Sequence, residues 1–357
     1  MTYTIDNKID ILSLSKSELK TILKEKFAME GYRADQIYPW LYKTADPDFA
    51  KMSDIPKTTQ KILEDNFHIG KPNIVKKRVS ADGTVKYLFK LHDGNMIESV
   101  FMKYNHGNTV CISTQAGCRM GCAFCASAEG GLNRNLLPSE MLLQVIGARQ
   151  NTGDLIPHSP FLIPHSNVVL MGIGEPLDNF DNVAKFLELV NCKEGLNIGY
   201  RHISLSTCGL VDKILKLKEQ NLPITLSVSL HSPNDETRKK IMPIAKKWGI
   251  DQLTEACREY ANFTKRRISF EYALIDKLND SKEDAKNLAL KIKGILCHVN
   301  LIQLSEIPER DFRPPDMAKS RLFQKTLEDH GINATFRRKC GFDIDASCGQ
   351  LRNNNLK

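Results

Sequence analysis

Cys118-Arg-Met-Gly-Cys122-Ala-Phe-Cys125 is the stretch of this sequence from which the rest of the chain is best interpreted. It places three thiols within eight residues, and thiolates spaced this way on a loop can converge on one metal centre. Three thiolates suit a four-iron cluster with one iron left open, as a catalytic metal site requires. The spacing also permits a structural zinc site, with Cys111 or a histidine as the fourth ligand. Spacing alone leaves both alternatives open.

The cysteine-rich loop follows the first of seven short runs that are rich in strand-forming residues. These runs cover 109–114, 168–172, 202–206, 224–230, 268–274, 299–304 and 334–337. Helical patterns lie between them and begin near Ser139, Asp181, Val211, Asp235, Gln252, Lys282 and Ala318. A repeated strand–helix–strand order predicts parallel strands joined by right-handed crossovers. We therefore expect an α/β fold, a partial (β/α) barrel of the TIM type.

The amino-terminal part has a different pattern. It opens with helical spacing of apolar residues behind a cap at Ser15 or Ser17. From 74 to 102 the period changes to that of strands, with turn signals at Ala81-Asp82-Gly83 and His92-Asp93-Gly94. This pattern predicts a small helical accessory domain followed by a β-hairpin linker.

These patterns suggest a division of the chain into an accessory domain (1–95), an α/β core (96–352) and a polar tail (353–357). The amino end has no continuous apolar segment, and the longest apolar stretches are only strand length. We therefore predict a cytoplasmic protein without a membrane partner. With no export signal the thiols should be reduced, which favours metal or redox chemistry over structural disulfides.

The chain is moderately basic, with 50 Lys and Arg against 42 Asp and Glu, a net charge of +8. The bases cluster at Arg238-Lys239-Lys240, Lys246-Lys247, Lys265-Arg266-Arg267 and Arg337-Arg338-Lys339. Such clusters are either solvated surface or a phosphate-binding face for nucleic acid. Charge alone does not decide between these interpretations.

Small and polar residues follow several predicted strands at the point where each strand ends. Gly172-Ile-Gly174-Glu175 follows the second strand, Ser206 closes the third, and Ser229-Leu230-His231 ends the fourth. In parallel α/β folds, chemistry collects at the carboxyl ends of the strands. Small residues let a ligand approach the backbone, and Glu175 can accept a hydrogen bond from a ligand amine. We expect a pocket opposite the three cysteines.

Three segments of the chain closely resemble the RlmN family of RNA adenine methyltransferases, which belong to the radical S-adenosylmethionine (SAM) class. They are CISTQAGCRMGCAFCASAEGGLNRNL from Cys111, MGIGEPLDN from Met171 and DIDASCGQLR from Asp343. The resemblance extends over about 32–352. It implies two cofactors, SAM and one [4Fe-4S] cluster per chain. The implied cluster ligands are Cys118, Cys122 and Cys125.

The resemblance also implies a reaction and its partners. RlmN-like enzymes methylate carbon 2 of an adenosine in 23S ribosomal RNA, before ribosome assembly is complete. In some bacteria they also methylate an adenosine beside the tRNA anticodon. The implied electron donor is a low-potential protein such as flavodoxin or ferredoxin, and we expect a monomer.

Specific residues inherit roles from the resemblance. Cys348 matches the cysteine that is itself methylated, and Cys111 matches its partner in a transient disulfide that helps to release the product. Glu98 matches the family's proton acceptor. The positions implied to contact SAM are Gly174, Glu175, Ser206, Ser229, Leu230, His231 and Ser305, the last standing where the family usually has asparagine. The remaining cysteines match no motif and are interpreted as structural: Cys192, Cys208, Cys257, Cys297 and Cys340.

Three other functions compete with this interpretation. The sister family Cfr methylates carbon 8 of the same ribosomal adenosine, but the runs at 174–179 and 343–345 resemble RlmN more closely. A zinc-stabilised RNA-binding module without catalysis predicts a colourless protein and no role for Cys348. A radical SAM activator that acts on a protein is disfavoured by the basic clusters and the motif around Cys348.

Overall fold

The computed structural model describes residues 3–43, 47–105, 107–150, 167–305, 307 and 310–352. Its strands are β1 (Thr4–Ile5), β2 (Lys8–Asp10), β3 (Phe67–His68), β4 (Ile74–Val79), β5 (Val85–Lys90), β6 (Met96–Tyr104), β7 (Gly107–Cys111), β8 (Gln115–Gly117), β9 (Leu132–Asn135), β10 (Asn167–Leu170), β11 (Ile203–Thr207), β12 (Thr225–Ser229), β13 (Ile268–Leu274), β14 (Cys297–Gln303) and β15 (Ala334–Phe336). Its helices are α1 (Lys16–Phe27), α2 (Tyr32–Lys43), α3 (Lys57–Asn66), α4 (Pro138–Gln150), α5 (Phe180–Asn191), α6 (Val211–Glu219), α7 (Asp235–Ile241), α8 (Ile250–Thr264), α9 (Lys282–Ile292) and α10 (Met317–Asp329).

One large mixed sheet organises the chain, with the strand order β15-β14-β13-β12-β11-β10-β7-β6-β5-β4. The first seven strands in this order are parallel to one another, and the last three continue the sheet in antiparallel fashion. Strands β15 and β4 form its two edges, so the sheet is a partial barrel. The predicted α/β fold with parallel strands is therefore confirmed.

The central strands have one apolar face and one polar face because their side chains alternate. In β12, Leu226 and Val228 belong to the main core, while Ser227 and Ser229 lie on the opposite face. In β13, which is buried along its whole length, Glu271 points to that same polar face. The apolar face packs against the surrounding helices, and the polar inner face is left to line a site.

The amino-terminal helices have a small core of their own. Helix α1 begins with a capping box, in which the Glu18 N–H donates to Ser15 Oγ at 3.3 Å and the Ser15 N–H donates to Glu18 Oε2 at 2.7 Å. The predicted cap at Ser15 is therefore confirmed. The Ser139 N–H donates to Ser13 Oγ at 3.0 Å, which fastens the start of α4 to this part of the chain.

The β4–β5 hairpin is continuous with the main sheet. Strand β5 pairs with β6 from Val85 opposite Phe101 to Lys90 opposite Met96, across the proposed domain boundary near residue 95. The division of the chain at that point stays a prediction, and the polar tail at 353–357 lies outside the described residues. Within the described ranges, no helix combines the length and apolar character needed to cross a membrane.

Candidate active site

A cavity opens at the carboxyl ends of the parallel strands, with about 910 Å³ of empty space including its mouth. It is lined by the cysteine-rich loop, by the turns after β10, β11 and β12, and by the inner faces of β13 and β14. Nine of the thirteen residues predicted from the sequence line it: Cys118, Cys122, Cys125, Gly174, Glu175, Ser206, Ser229, His231 and Cys348. Residues far apart in sequence are thus brought together, as expected at this end of a parallel sheet.

Backbone and side-chain contacts hold the loop at 118–125 in place. The Cys118 N–H donates to the carbonyl of Gly131 at 2.8 Å. The Arg119 guanidinium donates through Nε to Asp178 Oδ2 at 2.9 Å. Asp178 follows the turn after β10, so the two motifs nearest the cavity are tied directly to each other.

The three thiols suit an iron–sulfur cluster by their number and placement. Burial raises the pKa of all three, that of Cys118 to about 12, and the charges of other members of the trio add to the effect at Cys118 and Cys122. Within the described ranges, no three His, Cys, Asp or Glu side chains converge closely enough to hold a single metal ion. Ligands of a four-iron cluster bind different iron atoms, so three thiols along one cavity wall fit that group and would leave one iron without a protein ligand.

Two glycines in the turn after β10 pack closely against the residues that follow β7. A Cβ on Gly174 would lie 2.6 Å from Gln115 Cβ, and the residue has a φ of +105°. A Cβ on Gly172 would lie 2.7 Å from the carbonyl oxygen of Ile112. Only glycine fits both positions. The backbone of this turn consequently forms part of the cavity wall.

Glu175 is fixed by two backbone donors. Its Oε1 accepts from the Leu177 N–H at 3.0 Å, and its Oε2 accepts from the Cys208 N–H at 2.7 Å. Burial raises the pKa of this carboxyl. A carboxylate offers about four acceptor positions, so capacity remains for a donor on a ligand in the cavity.

Glu271 is a cavity residue that the sequence interpretation missed. Its Oε1 accepts from Ser269 Oγ at 2.8 Å, and its Oε2 accepts from Asn300 Nδ2 at 2.9 Å. The sequence feature that could have identified it is its charge, because Glu271 is the one charged residue of β13. Its side chain lies on the same face of the strand as Ala273, which also lines the cavity. It extends the polar inner face that Ser229 begins.

His231 is a neutral ring in the cavity wall. Its Nδ1 accepts from the Ala273 N–H at 2.9 Å, and the ring meets Phe124 edge-on at 4.8 Å between centroids. Burial, with a further contribution from Arg238, lowers its pKa to about 3. Because Nδ1 is an acceptor, the ring carries its proton on Nε2. The adjacent Leu230 side chain is fully buried in the core instead of lining the cavity.

The protonation of His231 predicts a pH dependence of stability. The pKa of about 3 in the folded chain lies below the ordinary value of 6.5, so the unfolded chain binds the extra proton first as pH falls. The His231 contribution is complete above pH 6.5 and is lost progressively below it. Urea unfolding should show that lowering the pH from about 7.5 to about 5 costs the parent chain about 2 kcal/mol more than His231→Gln. Equal losses in both chains would contradict this assignment.

Two arginines from the predicted basic clusters lie inside the fold. Arg238 has 0% exposure, and its Nη2 donates to the carbonyl of Cys208 at 2.8 Å. Arg337 is partly buried, lies 3.6 Å from Glu271 Oε2 and lines the cavity, as Cys348 does. A negative charge on Cys348 raises the pKa of Arg337. Of the two interpretations left open for these clusters, solvated surface does not describe Arg238.

Cys348 lies between the main cavity and a smaller one with about 420 Å³ of empty space, and it lines both. Ser305 lines the smaller cavity, whereas it is absent from the wall of the larger one. Cys111 is buried at the end of β7 and packs in a small cluster with Ala346 and Leu351. Burial, followed by the charge of Cys348, raises the pKa of Cys111 to about 12. The two thiols are close enough to interact electrostatically.

Glu98 lies beside the segment that carries Cys348 and does not line the main cavity. It is 1% exposed, with Oε1 at 3.0 Å from Lys86 Nζ and Oε2 accepting from the Arg352 N–H at 2.9 Å. Lys86 Nζ also donates to the carbonyl of Asp345 at 3.0 Å. The predicted proton acceptor is thus part of the anchor of the carboxyl-terminal segment.

Comparison with known proteins gives consistent matches over the chain. Residues 112–289 match the family model of the radical SAM superfamily, and residues 9–69 match that of the ribosomal RNA large subunit methyltransferase N-terminal domain. The chain is 51% identical to a probable dual-specificity RNA methyltransferase RlmN of Clostridium novyi, over 98% of this chain and 99% of the relative. The corresponding protein of Clostridium tetani is 50% identical, with 98% of each chain covered.

A solved structure agrees with these matches. The crystal structure of a radical SAM methyltransferase from Sphaerobacter thermophilus superposes with a TM-score of 0.89 at 38% identity. The superposition covers 97% of this chain and 99% of that one.

Proposed function

Because this chain belongs to the RlmN family of radical SAM RNA methyltransferases, we propose that it methylates carbon 2 of an adenosine in 23S ribosomal RNA. The observation that carries the proposal is the position of Cys348, at the wall between the cavity of the three cysteines and a second, smaller cavity. A methyl group on Cys348 would therefore face both the main cavity and the smaller cavity. Cys111 lines neither cavity and is buried in a small cluster with residues of the segment that carries Cys348.

The three cysteines of the loop would hold the cluster, and the cavity beside them would hold SAM. When bound, these groups supply the methyl group and the carbon radical that the reaction needs. Glu175 would accept from the amine of SAM, and His231 would donate through Nε2. Ser206 and Ser229 offer hydroxyls on the same wall. The apolar ring of Phe124 narrows the cavity next to the loop.

Cys348 would act as the methyl acceptor and then carry the one-carbon unit to adenine. A thiolate is the nucleophilic form of cysteine, and Arg337 lines the same cavity as Cys348. Carbon 2 of adenine is electron-poor and cannot itself attack the methyl group of SAM. Cys111 would release the methylated base by forming a disulfide with Cys348. In this order Cys348 accepts the methyl group and Cys111 releases the product.

Glu98 would accept the proton that leaves the adenine ring. One of its carboxylate oxygens pairs with Lys86 and the other accepts from the Arg352 backbone. Because Glu98 is 1% exposed and lines neither the main nor the smaller cavity, proton acceptance requires the segment at 345–352 to shift when RNA binds. Lys86 contacts both Glu98 and the Asp345 carbonyl. A shift of the segment at 345–352 would therefore also move the lysine that pairs with Glu98.

An exposed basic face next to the smaller cavity supports RNA as the substrate. Arg338 and Lys339 are exposed and line that cavity, and Arg338 lies over the Tyr104 ring at 5.7 Å. Phe342 is 61% exposed beside Lys339, whose Nζ lies 5.6 Å from the ring centroid. Exposed aromatics among cations suit unstacked bases and the phosphates between them.

Neutralising this face should weaken RNA binding in a salt-dependent way. Arg338→Gln with Lys339→Gln removes two phosphate contacts, so the slope of log affinity against log salt should become shallower by about 1.4. The matched control is Lys265→Gln with Arg267→Gln, two exposed bases that precede β13 at the opposite end of the parallel strands. Filter binding of an unmodified ribosomal RNA fragment over a salt series measures both. Equal changes in the two double variants would contradict the assignment of this face.

We also propose that residues 1–95 are an accessory unit that helps to bind RNA, that tRNA is a second substrate, and that the chain acts as a monomer. The match of residues 9–69 to a domain of ribosomal RNA methyltransferases supports the first point. The two clostridial relatives are named as probable dual-specificity RNA methyltransferases, which supports the second. The electron donor would be a low-potential protein such as flavodoxin or ferredoxin.

The proposal is tested by product analysis. The protein is reconstituted anaerobically with iron and sulfide and incubated with SAM, reductant, and unmodified 23S ribosomal RNA or tRNA. Nucleosides from the digested RNA are identified by mass spectrometry. We expect 2-methyladenosine. Methylation at carbon 8 would move the protein to the Cfr reaction, and SAM cleavage without RNA methylation would overturn RNA as substrate.

A further inference from the structure

A third cysteine shares the smaller cavity with Cys348. Cys340 matches no family motif, yet it lines the smaller cavity, whose empty space is about 420 Å³ including its mouth. It is buried, in the same small cluster as Cys111. Cys340 therefore shares a cavity wall with Cys348 and a core cluster with Cys111, although the proposed reaction uses only those two thiols.

The backbone between Cys340 and Cys348 folds back on itself. The Ala346 N–H donates to the carbonyl of Gly341 at 3.0 Å, and Ser347 Oγ donates to the carbonyl of Cys340 at 3.2 Å. These two bonds place the residues at both ends of the short loop next to each other. Little chain entropy has to be lost to join the two cysteines, because the loop is short and already closed.

Tyr104 links the same groups. The Cys340 thiol donates to Tyr104 Oη at 3.6 Å. Burial raises the pKa of Tyr104, and the charges of Cys340 and Cys348 both raise it further. The phenol of Tyr104 thus interacts with both thiols, which supports their proximity across the cavity.

We propose that Cys340 is a relay thiol, which attacks the Cys111–Cys348 disulfide left by product release and transfers it to the Cys340–Cys348 pair. The proposal rests on the disulfide step of the proposed function. The Cys340 thiolate bonds to the Cys348 sulfur, the Cys111–Cys348 bond breaks, and Cys111 leaves as a thiolate that takes up a proton. The number of disulfides is unchanged, so this step needs no external oxidant.

Two molecules of a small cellular thiol complete the cycle. The first attacks the Cys340 sulfur and forms a mixed disulfide, which frees Cys348 as a thiolate. The second releases Cys340 and leaves with the first as their own disulfide. Arg338 and Lys339 are exposed at this cavity and would attract an anionic thiol such as glutathione. The reductant therefore never has to enter the cavity that holds SAM.

The relay is tested on the reconstituted holoenzyme during a single anaerobic turnover with an unmodified ribosomal RNA fragment. Samples are quenched in acid with an alkylating agent, and disulfide-linked peptides are identified by mass spectrometry. We expect Cys111–Cys348 to appear first and Cys340–Cys348 to follow. Cys340→Ser should lose the second linkage and, with glutathione as reductant, turn over severalfold more slowly, with an unchanged single-turnover yield.

Cys297→Ser is the matched control, since Cys297 is partly buried in β14 and lines none of these cavities. It should behave like the parent chain, and equal iron content in both variants shows that each folds. A Cys111–Cys348 linkage that never gives way to Cys340–Cys348 would overturn the relay alone. Absence of both linkages would overturn the proposed product-release step and the relay with it.

Discussion

Replacing Cys348 with alanine is expected to abolish RNA methylation while the protein still binds its cluster and cleaves SAM. The substitution removes the only nucleophile of the described residues that lines both cavities. Cys111 cannot replace it, because that thiol lines neither cavity and burial raises its pKa. The loss should be on the order of 10⁴-fold or more, as for removal of a catalytic nucleophile. Quantifying 2-methyladenosine by mass spectrometry measures it.

The matched controls separate chemistry from folding. Cys297→Ala removes a thiol of comparable burial away from the cavity and should retain parental activity. Cys348→Ser keeps the size and polarity of the side chain but not the thiolate, so it should be as inactive as alanine. Methylation of RNA by Cys348→Ala near the parental rate would contradict the methyl-cysteine intermediate, whichever carbon of adenine is methylated.

The sheet could be predicted because its sequence pattern is local. Each parallel strand is a short apolar run followed by a helical pattern, and the seven runs in the core correspond to β7 and β10–β15. Alternation within β12 and β13 also fixes which side chains face inward. Once the strands are parallel, their carboxyl ends must share one edge, so most of the cavity wall follows from the order of the elements.

Other parts of the site could not be predicted, because their charges are compensated by distant residues. Arg238 is stabilised by the carbonyls of Cys208 and Leu230, and Arg337 by Glu271. Nothing in the adjacent sequence distinguishes such an arginine from one in water. Only the fold brings the acceptors within reach, and without them a buried cation would be costly.

The placement of the carboxyl-terminal segment, which carries Cys348, could not be predicted from the sequence either. Its bonds run to residues hundreds of positions earlier: the Ala126 N–H donates to the Gly349 carbonyl at 2.7 Å, and Ser127 Oγ donates to the Leu351 carbonyl at 2.7 Å. These two bonds fix the residues that follow the cluster loop to the residues that follow Cys348. The family motif indicated which residue matters, whereas its placement depends on pairings that no local pattern records.

Removing any one of the three loop cysteines is expected to eliminate the cluster without unfolding the chain. The loop is held by main-chain bonds that alanine preserves, including Cys118 N–H to the Gly131 carbonyl at 2.8 Å and Ala123 N–H to the Ile241 carbonyl at 2.9 Å. A cluster left with two thiolates should be lost during reconstitution. Each alanine variant should therefore be colourless, with iron below detection and no SAM cleavage, yet with a circular dichroism spectrum like that of the parent chain.

Iron analysis, visible absorption and SAM cleavage measure this prediction together, with Cys192→Ala as the matched control because that partly buried thiol lies outside the cavity. The control should be brown and active. A parent chain that binds one zinc per molecule and stays colourless would instead favour the structural zinc site. In that case both the cavity and Cys348 would need another explanation, since a zinc ion with four protein ligands leaves no open position for SAM.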